Sequence, residues 1–185
     1  MVADLVFYTV AVAIIAVFLT AAVAGAKAAP FVPTWQRDVR RMLNLAQVKP
    51  GERVVDLGSG DGRFLITAVR EFGAIGDGYE LSLLPYLISR WRIIHPSLNQ
   101  RIKIHYRDFY RSSLSAVDVV TCFLTPRAMA KLEGKFRHEL RPGSRVVSYA
   151  FRLPNVAADR IDKPFPRSTP VFVYTAPFQS SRSRT

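Results

Sequence analysis

Residues 54–63 read Val-Val-Asp-Leu-Gly-Ser-Gly-Asp-Gly-Arg. A short β-branched run ends in an acid, Asp56, and glycine then falls at every second position, at Gly58, Gly60 and Gly62. An amphipathic segment follows at once. The pattern predicts a strand, a tight loop and a helix start. Glycine lets the backbone turn with positive φ and lets a ligand approach the main chain. A helix N-terminus offers unpaired N–H groups to an anion. The spacing Gly-x-Gly-x-Gly departs from the dinucleotide fingerprint Gly-x-Gly-x-x-Gly, and the Gly-Lys-Ser/Thr ending of a P-loop is missing.

Beyond this unit the chain alternates. Strands are expected at Arg53–Leu57, Ala74–Tyr79, Lys103–Tyr106, Val117–Phe123, Arg145–Phe151 and Val171–Thr175. Helices are expected at Arg63–Phe72, stopped by Gly73, and at Leu84–His95, closed by Pro96. In the second of these, Leu84, Leu87, Ile88, Trp91 and Ile94 form an apolar stripe at helical spacing. A third helix starts at Thr125 as N-cap with Pro126 at its first position, a favoured place for proline. A helix capped by Thr34 is expected before the first strand, with Trp35, Val39, Met42, Leu43 and Ala46 on one face. The order β-α-β-α-β-β-α-β predicts an α/β fold, a doubly wound and mostly parallel sheet with helices on both faces. Residues 154–167 carry no clear pattern, so the antiparallel edge stays open.

The N-terminus is different in kind. Leu5–Ala26 holds no charged residue. Its 22 residues make a helix of about 33 Å, enough for a ~30 Å hydrocarbon core. Asp4 precedes it, and Lys27, Arg37, Arg40 and Arg41 follow. The positive-inside rule puts the domain on the cytoplasmic or equivalent side. Small residues at Ala24, Ala26 and Ala28 also suit a signal-peptide cleavage site, but a basic n-region is lacking and the apolar stretch exceeds a usual h-region. The chain therefore divides into an anchor (1–27), a linker with a helix (28–48), a catalytic-type domain (49–178) and a polar tail expected to be disordered (179–185).

Lys and Arg outnumber Asp and Glu 26 to 14, a net charge of +12. Such a chain attracts anionic partners, a membrane surface or a nucleic acid. Its scarce acids are informative. Asp56, Asp61, Glu80 and Asp108 all fall at or just after expected strand ends, where open α/β sheets bind ligands. Glu80 stands 24 residues after Asp56, near the ~20-residue offset of a ribose-binding acid. Asp108 with Phe109 suits a base amino group and a stacking face. The single cysteine, Cys122, lies in an apolar run and reads as core. No cluster has metal-ligand spacing, so no metal is expected. His95, His105 and His138 read as structural or exposed.

Asp56–Gly62 (Asp56, Leu57, Gly58, Ser59, Gly60, Asp61, Gly62), Glu80 with Leu81, and Asp108 with Phe109 resemble the binding motifs of class I S-adenosylmethionine-dependent methyltransferases. The order of an N-terminal membrane segment, Pro-Phe-Val-Pro-Thr (30–34), the stretch 49–63 and Gly-Tyr-Glu-Leu (78–81) is similar to the membrane-anchored protein-lysine methyltransferases with mitochondrial inner-membrane members. The likeness covers roughly residues 5–150. It implies a Rossmann-like fold, S-adenosyl-L-methionine as cofactor, and a role at that site for Pro33 and Thr34. It also implies a lysine acceptor on a membrane-associated protein.

The end of the fourth strand departs from the amino-methyltransferases of nucleic-acid bases and glutamine. These often carry Asn/Asp-Pro-Pro-Tyr/Phe there, whereas this chain has Leu124-Thr125-Pro126, the residues expected at the substrate mouth. No general base stands out, and the catalytic residues stay unassigned. The alternatives are a lipid, small-molecule or RNA methyltransferase, and a cofactor-binding membrane scaffold without catalysis. The bilayer segment and the missing motif weigh against a nucleic-acid partner.

Overall fold

A computed structural model describes residues 1–181. Among the described residues seven strands form one sheet: β1 Arg53–Leu57, β2 Ile75–Glu80, β3 Ile102–Tyr106, β4 Val119–Cys122, β5 Arg145–Tyr149, β6 Arg160–Asp162 and β7 Val171–Thr175. Their order is β3-β2-β1-β4-β5-β7-β6. β1 to β5 run parallel, and β7 pairs antiparallel with both β5 and β6. The strand order reverses at β1, which lies between β2 and β4. The helices are α1 Val2–Lys27, α2 Gln36–Leu45, α3 Arg63–Phe72, α4 Leu83–Arg92, α5 Pro96–Asn99 and α6 Pro126–Glu139.

Paired valines explain why this sheet is covered on both faces. Successive strand side chains point to opposite sides. Val54, Val119 and Val147 join Val39, Met42, Leu43 and Leu65 in one core layer. Val55, Val120 and Val146 join Met129, Leu132 and Phe136 in the other. Strands buried on both faces read as continuous apolar runs, as these do. Cys122 is buried in the second layer, where desolvation pushes its thiol up to about 12 and keeps it neutral.

Several elements differ from the sequence expectation. Trp35, not Thr34, occupies the N-cap position of α2 without a side-chain bond, and its ring is 73% exposed, whereas Val39, Met42, Leu43 and Ala46 are buried as predicted. The apolar stripe of α4 faces outward, with Leu84, Leu87, Ile88, Trp91 and Ile94 all exposed. The inward side of α4 carries Pro85 and Ser89 instead. A Cβ on Gly62 would lie 3.3 Å from Ser89 Cβ, so only a small residue lets α4 sit this close to the glycine loop. Pro96 opens the short α5 rather than simply ending α4. The ambiguous stretch supplies β6. The expected tail does not begin at 179: the Ala157 amide donates to the Gln179 carbonyl, and Ser180 bridges to Val156. Residues 182–185 lie outside the described residues.

α1 is long and apolar enough to cross a membrane, and its most apolar stretch is not buried by the protein. Its last turns are nevertheless tied to the domain. Thr20 Oγ1 accepts the Leu83 amide at 3.1 Å, Ala24 is buried, and Lys27 pairs with Asp108 at 2.8 Å.

Gly78 shows how tightly β2 is packed. A Cβ there would stand 2.7 Å from Ser59 Oγ and 2.8 Å from Leu65 Cδ1. Gly78→Ala is expected to cost about 1–3 kcal/mol through overpacking. A lowered denaturation midpoint, with an unchanged slope, is the measurement that checks it.

Candidate functional site

The C-terminal ends of β1, β2 and β4 open into a cleft whose floor is the loop 58–62. Gly58, Gly60 and Gly62 all adopt positive φ, at 82°, 53° and 79°. Side-chain-bearing residues rarely do so, which accounts for the alternating glycines. The Gly58 and Ser59 amides both donate to the Tyr79 carbonyl at 3.0 Å. Glu80 completes the attachment. Its Oε2 accepts the Gly60 amide at 2.8 Å, and its Oε1 accepts the Leu81 and Ser82 amides at 2.8 and 2.7 Å. Each carboxylate oxygen has two acceptor positions, so Oε1 is filled and Oε2 keeps one. Glu80 is thus first a clasp for the loop and retains a single free position for a hydroxyl.

The three aspartates have separate fates. Asp56 is buried, and Thr121 Oγ1 donates to its Oδ1 at 2.8 Å. Burial, with the charges of Glu80 and Asp61 nearby, raises its pKa to about 8 despite that bond. Asp61 lies under two guanidinium groups. Burial alone would raise it, but the two-pronged bond from Arg63 and the Arg92 charge outweigh this and hold it below the ordinary carboxylate range. Its charge is therefore spent within the protein rather than free for a ligand cation. Asp108 also sits low. Partial burial works to raise it, but the Lys27 ammonium and the Tyr110 amide outweigh this. Both of its oxygens are engaged, which leaves less room for a base amino group than the sequence suggests.

The linker after α1 builds one wall of the cleft. Pro33 and Thr34 both line it. Arg63 Nη1 donates to the Thr34 carbonyl at 2.6 Å, so Thr34 contributes its backbone and not a helix cap. Phe31 lies over Gly60, where even a methyl group would collide with its ring. Among the expected mouth residues, Leu124 lines the cleft, whereas Thr125 and Pro126 do not. Thr125 instead caps α6 through the Ala128 amide and donates its hydroxyl to the Ala28 carbonyl. Leu57 is core, and Gly62 caps α3. Leu81 and Phe109 line the cleft.

Sequence reasoning missed Lys27, Phe31, Arg63, Phe123 and Tyr110, which all line the cleft. Lys27 reads in sequence as a topogenic charge, and nothing in the chain order pairs it with Asp108. Arg63 carried a signal, since it adjoins Asp61.

The family model described as the ANTKMT methyltransferase domain matches residues 56–160. The chain belongs to this methyltransferase family. It is 37% identical over 125 residues to a protein-lysine N-methyltransferase of Saccharolobus islandicus, covering 67% of this chain and 78% of that one. It is 36% identical over 127 residues to the adenine nucleotide translocase lysine N-methyltransferase of Mus musculus, covering 68% of this chain and 54% of the other. The chain thus spans about half the length of that longer relative. The crystal structure of an RNA methyltransferase from Salinibacter ruber in complex with S-adenosyl-L-homocysteine superposes with a TM-score of 0.74 at 33% identity, over 78% of this chain and 93% of that one.

The methyltransferase cleft suits a nucleoside with polar edges. Two of its lining residues, Ser59 and Tyr110, carry buried hydroxyls with no hydrogen-bond partner among the described residues. Buried polar atoms normally have one. Phe31, Phe109 and Phe123 add flat apolar surface beside them.

Asp56 gives this domain a pH signature. Its folded pKa, about 8, lies above the unfolded value of 3.8, so the folded state binds the extra proton between the two. Stability therefore falls as pH rises through this window. Asp56→Asn is expected to flatten the slope between about pH 4 and 8, read from denaturation midpoints across pH. A second expectation concerns the clasp. Glu80→Gln faces three N–H donors with one acceptor oxygen and a donor amide, so cofactor affinity is expected to drop at least tenfold in calorimetry.

Proposed function

We propose that this chain is a membrane-anchored methyltransferase that transfers a methyl group from S-adenosyl-L-methionine to lysine side chains of membrane-associated proteins. The observation that carries this reading is the wall of the cleft. The glycine loop at the strand ends is closed on one side by the direct continuation of an exposed apolar helix. A site built this way works within reach of the bilayer that holds the helix. The named activities of the Saccharolobus and Mus musculus relatives support lysine as the acceptor. The basic residues after α1 support a domain on the cytoplasmic or equivalent side. Loss of α1 at a cleavage site near Ala26 would separate most of the helix from the wall it forms, which supports an uncleaved anchor.

The cofactor supplies a methyl group already activated on a cationic sulfur. The protein chiefly aligns and desolvates. The loop 58–62, fixed by Glu80, presents its backbone to the ligand. Glu80 Oε2 offers its remaining acceptor position to a ribose hydroxyl. Asp56 lines the cleft, and a cation held there would favour its ionised form. Leu124, Phe123 and Phe109 exclude water from the mouth. The acceptor lysine must arrive as a free amine. A desolvated mouth beside a positive charge lowers its pKa from ~10.4, so no dedicated base is required. Its nitrogen would take the methyl group as that carbon leaves the cofactor's sulfur, and the cleft residues would hold the two partners in line. The acceptor's one displaced proton goes to solvent before transfer, and the methylated product carries the positive charge.

The likeness to the Salinibacter RNA methyltransferase and the net charge of +12 favour RNA as a second reading. One experiment separates the two. The full chain, reconstituted in vesicles, is incubated with methyl-labelled cofactor, membrane proteins, lipids and RNA. Label is expected in protein, as methylated lysine. Label in RNA or lipid would replace the lysine reading, and cofactor binding without transfer to any fraction would leave a scaffold.

A further inference from the structure

The outward stripe of α4 has no part in the proposed reaction. Leu84, Leu87, Ile88 and Trp91 present apolar surface to the outside along one helix face, with Ile94 just beyond its end, and Trp91 is 71% exposed. Clustered exposed apolar residues of this size mark an interaction surface. The stripe adjoins α1, since Thr20 Oγ1 holds the Leu83 amide at the first residue of α4.

The placement of α1 says what covers this face. Its uncharged run begins at Leu5, just after Asp4, so a ~30 Å hydrocarbon core, about 20 residues of helix, ends near Ala24. Thr20 stands four residues before that point, about 6 Å along the axis. The part of α1 bound to the domain, from Thr20 through the buried Ala24 to the Lys27–Asp108 pair, therefore straddles that boundary. The start of α4, held at Thr20, is set at the margin of the acyl chains. There an amphipathic helix buries its apolar face at the edge of the acyl chains. Tryptophan favours that depth. The exposed Arg90 on the same helix meets anionic head groups.

We propose that α4 is a second membrane contact, seated in the interface of an anionic bilayer beside α1. This rests on the reading of α1 as a membrane span. Ser82 and Leu81, which lead into α4, line the cleft. Seating α4 therefore sets the cleft mouth at the bilayer surface, where only acceptors close to the membrane can enter.

The chain has two tryptophans, so Trp35→Phe leaves Trp91 as the reporter. The full chain is reconstituted in phosphatidylcholine–phosphatidylglycerol vesicles whose acyl chains carry bromine at a shallow or a deep position. The expected result is blue-shifted Trp91 emission, quenched more by shallow than by deep bromine. Adding Leu87→Glu and Ile88→Glu is expected to cut this quenching at least twofold with the circular dichroism unchanged. Unquenched, water-exposed Trp91 emission would overturn the proposal. So would Trp91 shielded from acrylamide but not reached by bromine, because a protein surface would then cover the stripe. Phe18→Trp, in a chain lacking both native tryptophans, reports on α1 separately. Deep quenching there with none at Trp91 removes the α4 contact and keeps the anchor. Quenching at neither position removes both.

Discussion

The Glu80 carboxylate is the contact on which the site depends. It gathers amides from the glycine loop and from the junction between β2 and α4. Without it three N–H groups lose their acceptor, and the loop loses its attachment to the sheet. The alternating glycines make the turn possible, but they also make it soft. The clasp turns a permissive backbone into a fixed one. Burying one more carboxylate beside it, Asp56, has a cost that appears as a proton held up to about pH 8.

The pocket is built where the chain's direction of winding reverses. β1 ends there with β2 on one side and β4 on the other. The strands bring Asp56, Glu80 and Leu124 to a common rim, although they are far apart in sequence. The wall opposite comes from outside the sheet altogether. Its linker is tied by the Thr125 hydroxyl to Ala28 and by Arg63 to Thr34. The apolar helix α1 and the sheet therefore share one site, and the boundary between helix and methyltransferase domain does not run between two independent parts.

The sequence was informative wherever local chemistry decides the outcome. β1 and α3 occupy the predicted residues because a valine pair, three glycines and a terminal Gly73 leave few alternatives. The Thr125–Pro126 start of α6 is equally local. α4 shows the limit. Periodicity identified its apolar stripe, but a stripe has no label for inside or outside. The close packing of Ser89 on Gly62 set the orientation. The same holds for the ionic contacts. Asp61 and Asp108 were legible as acids at strand ends, and both line the cleft, but their partners Arg92 and Lys27 lie 31 and 81 positions away. Thr34 was misread because α2 begins one residue later, with Trp35 at its N-cap, and the Thr34 carbonyl is engaged by Arg63.

The bond between Lys27 and Asp108 has a practical corollary for anyone preparing the domain. A shortened version that begins after residue 28, the obvious route to a water-soluble sample, also deletes Ala24, Lys27 and Ala28 from the rim. Asp108 then loses its cation and Thr125 loses the carbonyl it grips. Such a fragment keeps its sheet but not its front door, and poor catalysis by it would report on the missing hinge post rather than on the chemistry within.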